Sequence, residues 1–323
     1  MPFDADEIVE RRRLRRKLTF WRVLGVLAVV AAIVVAVTTL RGSLVPERAE
    51  HVARVPIGGI IRNDRERVEM LERIRTSNAR AVILSINSPG GTITGSEQLY
   101  DAVRRLAQDK PVVAMVEGAA ASGAYIAALG ADRIISRRNA LVGSIGVIYQ
   151  FPNVTELMKT VGVSMEEIKS SPLKAEPNPF STPTPAARAA IDSLVKDSYG
   201  WFKDLVGERR QLAGAELDFI SDGRVFTGHQ GLGLKLVDEI GDERTARAWL
   251  AKNRNVPEDL RVRTWNPGGL DSQIGFLSGS AQAFMTAIGL PQMGIFISEL
   301  SRGTLDGNQL DGLLALWHPR ANM

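Results

Sequence analysis

From Val52 to Ala131 the chain passes three times from a short apolar, β-branched run to a stretch of helical period. VARVPIGGII reads as a strand, and DRERVEMLERIRTS as an amphipathic helix with Val68, Leu71 and Ile74 on one face. ARAVILSIN is a buried strand that runs through SPGG into TITGSEQLYDAVRRLAQD, a helix carrying Leu99, Val103 and Leu106. PVVAMVEG is the next strand, and AAASGAYIAALGA is a small-residue turn opening a tightly packed helix. This alternation predicts an α/β fold with a largely parallel sheet, in which functional loops gather at one end of the strands.

Upstream, VLGVLAVVAAIVVAVTTL, from Val23 to Leu40, holds no charged residue. As a helix it would be about 27 Å long, close to the hydrocarbon thickness of a bilayer. Arg11, Arg12, Arg13, Arg15, Arg16 and Lys17 precede it, so the positive-inside rule sets the N-terminus in the cytoplasm and everything after residue 41 outside it. A cleaved secretory signal would have a shorter apolar core and a small-x-small site, which is not found after Leu40. The expected organisation is a basic cytoplasmic tail (1–22), a single transmembrane helix (23–40) in the inner or plasma membrane, a linker (41–51), a catalytic domain (52–265) and an apolar C-terminal extension (266–323). That extension is interrupted by glycines and Pro291, which favours a subunit interface or a peripheral helix in contact with lipid over a second span.

Charge and composition remove several classes of function. Of the net charge of +4, residues 1–22 supply +3 through seven Lys/Arg against four Asp/Glu, leaving +1 for the remainder. A nucleic-acid partner needs a concentrated basic face, so none is expected. The absence of cysteine removes thiol nucleophiles, thiolate metal sites and disulfides together. His51, His229 and His318 lack metal-motif spacing, and no metal or cofactor is expected.

Two segments stand where a buried strand hands over to a helix. In Asn87-Ser88-Pro89-Gly90-Gly91 the adjacent glycines permit positive φ and close backbone approach, as an oxyanion hole requires; a plain turn would use the same residues. In Gly118-Ala119-Ala120-Ala121-Ser122-Gly123-Ala124-Tyr125, Ser122 falls at a helix start, where free N–H groups favour a developing negative charge; an ordinary N-cap serine would fall there too.

Taken in order, INSPGG, AAASGAYIAA and GSIGVI at Gly143 to Ile148 resemble the signal peptide peptidase A family, within the wider Clp-protease and crotonase superfamily. DGRVFTGHQGLGLKLVDEIG is similar to that family's motif near the end of the domain, and the resemblance runs from about residue 52 to residue 245. It implies a Clp/crotonase-like domain, a serine peptidase with a Ser/Lys dyad, and apolar peptides such as released signal peptides as substrates. The single copy of the motifs is similar to the short form of the family, which implies a ring-shaped homo-oligomer. A non-catalytic membrane scaffold retaining the fold is the alternative, and a crotonase-like acyl-CoA enzyme a more distant one.

A serine hydroxyl needs a neighbouring base. No histidine lies between His51 and His229, which makes a Clp-type histidine improbable, and His229 in FTGHQG is expected to pack or cap near a helix start. A neutral lysine amine is the known variant. The resemblance assigns Lys174, at the end of Lys169-Ser170-Ser171-Pro172-Leu173-Lys174, as that base, with Lys169 and Lys159 as competitors. It also implies that Ser144 holds the lysine toward Ser122. The oxyanion donors are taken as the backbone N–H groups of Gly91, Gly90 and Gly123. PLKAEPNPFSTPTP is expected to be irregular and to reach across a subunit interface, with Thr182 or Thr184 capping the long helix that follows.

Overall fold

The structure, a computed structural model, describes residues 17, 20–22, 24, 25, 49–267 and 314–316. The chain divides into two units, residues 1–49 and 50–323. In the first, residues 17, 20–22, 24 and 25 are helical. Apart from Leu24 and Gly25 the expected span 23–40 lies outside the described residues, as does most of the extension 266–323. Among the described residues no helix is long and apolar enough to cross a membrane.

The second unit is a mixed α/β domain. Its centre is β1 (His51–Ile61), β2 (Ala79–Thr92) and β3 (Val112–Ala121), joined by α1 (Arg65–Thr76) and α2 (Ile93–Asp109). Both strand pairs are parallel, each crossover being a helix capped by the residue before it: Asp64 accepts from the Arg67 N–H, and Thr92 from the Gly95 N–H. The chain continues through α3 (Gly123–Leu129), β4 (Arg133–Ser136), β5 (Leu141–Gly143), α4 (Thr155–Thr160), α5 (Pro185–Arg210), α6 (Gly214–Ile220), β6 (Val225–Thr227), α7 (Gly228–Gly233), β7 (Glu239–Ile240), α8 (Glu243–Arg254), β8 (Val262–Thr264) and β9 (Leu314–Leu316). The sheet runs β6–β5–β3–β2–β1–β8, with β4 joining β3 to β7 and β9 on β2. It is largely parallel as expected; β5–β6 and β2–β9 are antiparallel.

Both faces of the sheet are covered, which explains why its strands read as near-continuous apolar runs. Val82, Leu84 and Ile86 of β2 belong to one core with Leu71, Val103, Tyr125 and Phe202, while Ala81 and Ile83 belong to a second core with Ala246 and Leu250 of α8. Leu71, Ile74, Leu99, Val103 and Leu106 are buried, and Val68 is half-buried.

Asn87–Gly91 is not a loop between strand and helix. It is the end of β2, with a bulge between Ile86 and Ser88. Pro89 has no N–H for the ladder, and the Ser88 hydroxyl supplies local polar contacts instead, donating to Gly59 O at 2.6 Å and accepting from Gly90 N at 3.1 Å. Likewise β3 continues through Ala121, so Ser122 follows the strand directly. The Pro-rich arm is irregular, and Thr184 is the cap of α5, accepting from Ala187 N at 3.1 Å.

Candidate active site

β3 and β5 pair in parallel with Ala121 opposite Gly143, which makes Ser122 and Ser144 neighbours one step beyond the ladder. Both carry a positive φ, 54° and 53°. Ser122 N donates to Gly143 O at 2.7 Å and Ser144 N donates to Arg224 O at 2.8 Å, tying the serines to the end of β5 and to the residue before β6. Ser122 is 1% and Ser144 8% exposed.

The N-cap reading of Ser122 fails. An N-cap serine has extended backbone and accepts from an N–H of the first turn, whereas Ser122 has φ 54° and ψ −118° and makes no side-chain cap bond. Those dihedrals are those of the first central residue of a type II′ turn, where glycine is favoured. A serine held in this strained conformation on a strand-to-helix turn, buried and with its hydroxyl unbonded among the described residues, is a candidate nucleophile.

The strand end of β2 lies alongside. A Cβ on Gly118 would sit 2.4 Å from Asn87 Oδ1, so the two glycine-bearing segments touch through Asn87. A Cβ on Gly91 would stand 1.7 Å from Ile61 O; the close approach of β1 therefore demands glycine there whatever else it does. Gly90 has φ 111°, and its N–H is already committed to Ser88 Oγ. Gly123 is buried as the first residue of α3.

A cleft of about 430 Å³ is lined by Ser122, Ser144, Ile145, Val147, Tyr199 and Ser221, among others. Lys174 is not in its lining. Lys174 is exposed in the irregular arm, and among the described residues its ammonium has neither an ion pair nor a hydrogen bond to Ser122. Its competitors are engaged elsewhere. Lys169 is bound to Glu167 and Glu176, each at 2.5 Å, and the hydrogen bonds to these two carboxylates hold its pKa above the ordinary lysine value. Lys159 pairs with Glu156 at 2.8 Å. His229 is exposed on α7 and absent from the cleft; the cap of α7 is Thr227, which accepts from the Gln230 N–H in a capping box. Among the described residues no cluster of three or more His, Asp or Glu could hold a metal ion.

Sequence reading missed three contributors to the cleft. Lys196, paired with Asp192 at 2.6 Å, and Tyr199, whose hydroxyl donates to Ser221 O at 2.7 Å, come from one face of α5, and their three-residue spacing was the available signal. Ser221, 1% exposed with its Oγ unpartnered among the described residues, precedes the DGR motif and had no signal of its own.

The chain is similar to known proteins. Residues 104–257 match peptidase family S49. A candidate protease of Synechocystis sp. is 35% identical over 210 residues, covering 64% of this chain and 76% of that one. A candidate signal peptide peptidase SppA of Enterococcus faecium is 29% identical over 198 residues, covering 61% and 58% respectively. Among solved structures, a mutant ClpP1 from Listeria monocytogenes is 15% identical with a TM-score of 0.42, covering 64% of this chain and 98% of that chain.

Proposed function

The chain belongs to peptidase family S49, and we propose on that footing that it is a membrane-anchored serine endopeptidase in which Ser122 attacks the peptide carbonyl and Lys174 is the general base. One observation carries the assignment of the nucleophile: Ser122 occupies a glycine-favoured conformation at the end of β3 without serving as a cap. The Ser122 hydroxyl adds to the carbonyl carbon as its proton passes to the lysine amine. The tetrahedral intermediate expels the amine, which takes the proton back, and water then hydrolyses the acyl-enzyme. The N–H groups of Gly91 and Gly123 are the proposed donors to the oxyanion, and Ser144 orients the lysine.

In the proposed assembly the lysine arrives from a neighbouring copy. Supporting this is the exposed position of Lys174 outside the cleft, on an arm that also exposes Leu173 and Phe180 and follows a segment exposing Val163, Met165 and Ile168. A head-to-tail ring of copies would cover that apolar surface and complete each site. Residues 23–40 are the proposed anchor, placing the domain outside the cytoplasm, where apolar peptides such as released signal peptides are its substrates.

The deciding experiment is covalent labelling of the purified full chain by a fluorophosphonate or β-lactone, with the modified residue mapped by mass spectrometry. Stoichiometric label on Ser122, lost in Ser122→Ala, is the expected result. Absence of label in an assembled, folded sample would favour the non-catalytic scaffold.

A further inference from the structure

β2 has two edges, and at its end they are taken by different neighbours. One edge is paired with β1, Ile60 opposite Gly90 and Ile61 opposite Gly91. The other is paired with β3 as far as Ser88 opposite Ala120, after which β3 ends at Ala121 and the chain turns through Ser122 into α3. From Gly90 to Thr92 the sheet therefore has a vacant position beside the nucleophile. Residues 314–316 fill it antiparallel to β2, with Leu316 opposite Gly90, Ala315 opposite Gly91 and Leu314 opposite Thr92. Cα atoms of this short strand come within 8 Å of those of α2 and of α3, the helix that Ser122 opens.

We propose that residues 314–316 are a built-in competitor for the strand position in which an extended peptide must lie to reach Ser122. The proposal rests on the reading of Ser122 as the nucleophile. An unpaired strand edge recruits any extended segment through its backbone groups, and here two of the three β2 residues are glycines that exert no side-chain selection. The position is thus tolerant of sequence, and a segment of the same chain holds it by proximity alone. Three residues of pairing form a weak strand that an incoming peptide can displace. With the position filled, Ser122 is 1% exposed.

The test breaks the competing strand within the full chain. Alternate N–H groups of a strand point to its neighbour, so of two successive residues one donates to β2; Ala315→Pro combined with Leu316→Pro removes the donor in either register. Two quantities are read: the rate at which a fluorophosphonate labels Ser122, and the anisotropy-measured affinity of a fluorescent peptide of residues 310–322 for the Ser122→Ala protein with and without the prolines. The double-proline chain should label at least about threefold faster and bind the peptide at least about threefold tighter, because access scales with the fraction of edges left free. Excess unlabelled peptide should slow labelling of the unaltered protein, a measurement that does not depend on the variant folding. Equal labelling rates and equal peptide affinities with and without the prolines, or no effect of excess peptide on the unaltered protein, would overturn the proposal while leaving the nucleophile in place. Conversely, peptide binding that tightens with the prolines in a protein that never labels would keep the docking position and defeat the peptidase reading.

Discussion

At Ser122 local conformation and chemistry oppose each other. With φ 54° and ψ −118°, any side chain with a Cβ is strained, and among the described residues the hydroxyl recovers nothing through hydrogen bonding. Ser122→Gly is therefore expected to raise stability by about 0.5–1 kcal/mol while abolishing peptidase activity, a pairing that thermal melting and a peptide assay would register together. Ser122→Ala and Lys174→Ala should each lower activity at least about a thousandfold with stability changed by less than about 0.5 kcal/mol, since Lys174 is exposed and the Ser122 hydroxyl, though buried, makes no hydrogen bond among the described residues. Full activity in either purified variant would remove the dyad. The serine was legible as a residue of interest from its small-residue surroundings, but an N-cap serine has the same sequence signature. Only the dihedral angles, which depend on how β3 and β5 end together, separate the two.

Among the elements, β2 shows what periodicity can and cannot reveal. Its apolar run marked the strand, whereas the continuation through SPGG was hidden because proline and adjacent glycines signal a turn. The deciding contact is remote in sequence: Ile61 of β1 approaches so closely that Gly91 has no room for a Cβ. Gly91→Ala should cost more than about 3 kcal/mol or prevent folding, measurable by denaturant titration, because backbone and not a flexible side chain must move. A second element-scale prediction concerns α3, fastened by the buried Tyr125 hydroxyl donating to Leu236 O at 2.7 Å. Burial raises the pKa of this phenol above its ordinary value. A raised folded pKa gives stability that is present below the unfolded value of about 10 and lost as pH rises beyond it. Tyr125→Phe should cost about 1–2 kcal/mol at neutral pH by stranding the Leu236 carbonyl, and its stability should decline less steeply above pH of about 10.

For the whole molecule, the α/β architecture was legible because the period changes from strand to helix three times within the first half of the domain. The pairing of Ser122 with Lys174 was not legible from residue pattern and came only through the family resemblance, since Lys174 lies in a segment with no regular period and outside the cleft of its own chain. If Ser122 and Lys174 meet across copies, Ser122→Ala and Lys174→Ala chains, each inactive alone, should recover activity when co-assembled. Random mixing in a closed ring unites an intact serine with an intact lysine at about one site in four, whereas a site built within one chain recovers none. The two cores carry a different consequence. They alternate residue by residue along β2 and β3, Val82 and Leu84 facing one, Ala81 and Ile83 the other. Neither layer of helices can melt away without stripping cover from strands that the other layer needs. Heating the domain should therefore give one calorimetric transition with matching van't Hoff and calorimetric enthalpies, and amide protons at the centres of β2 and β3 should exchange only when the whole domain opens.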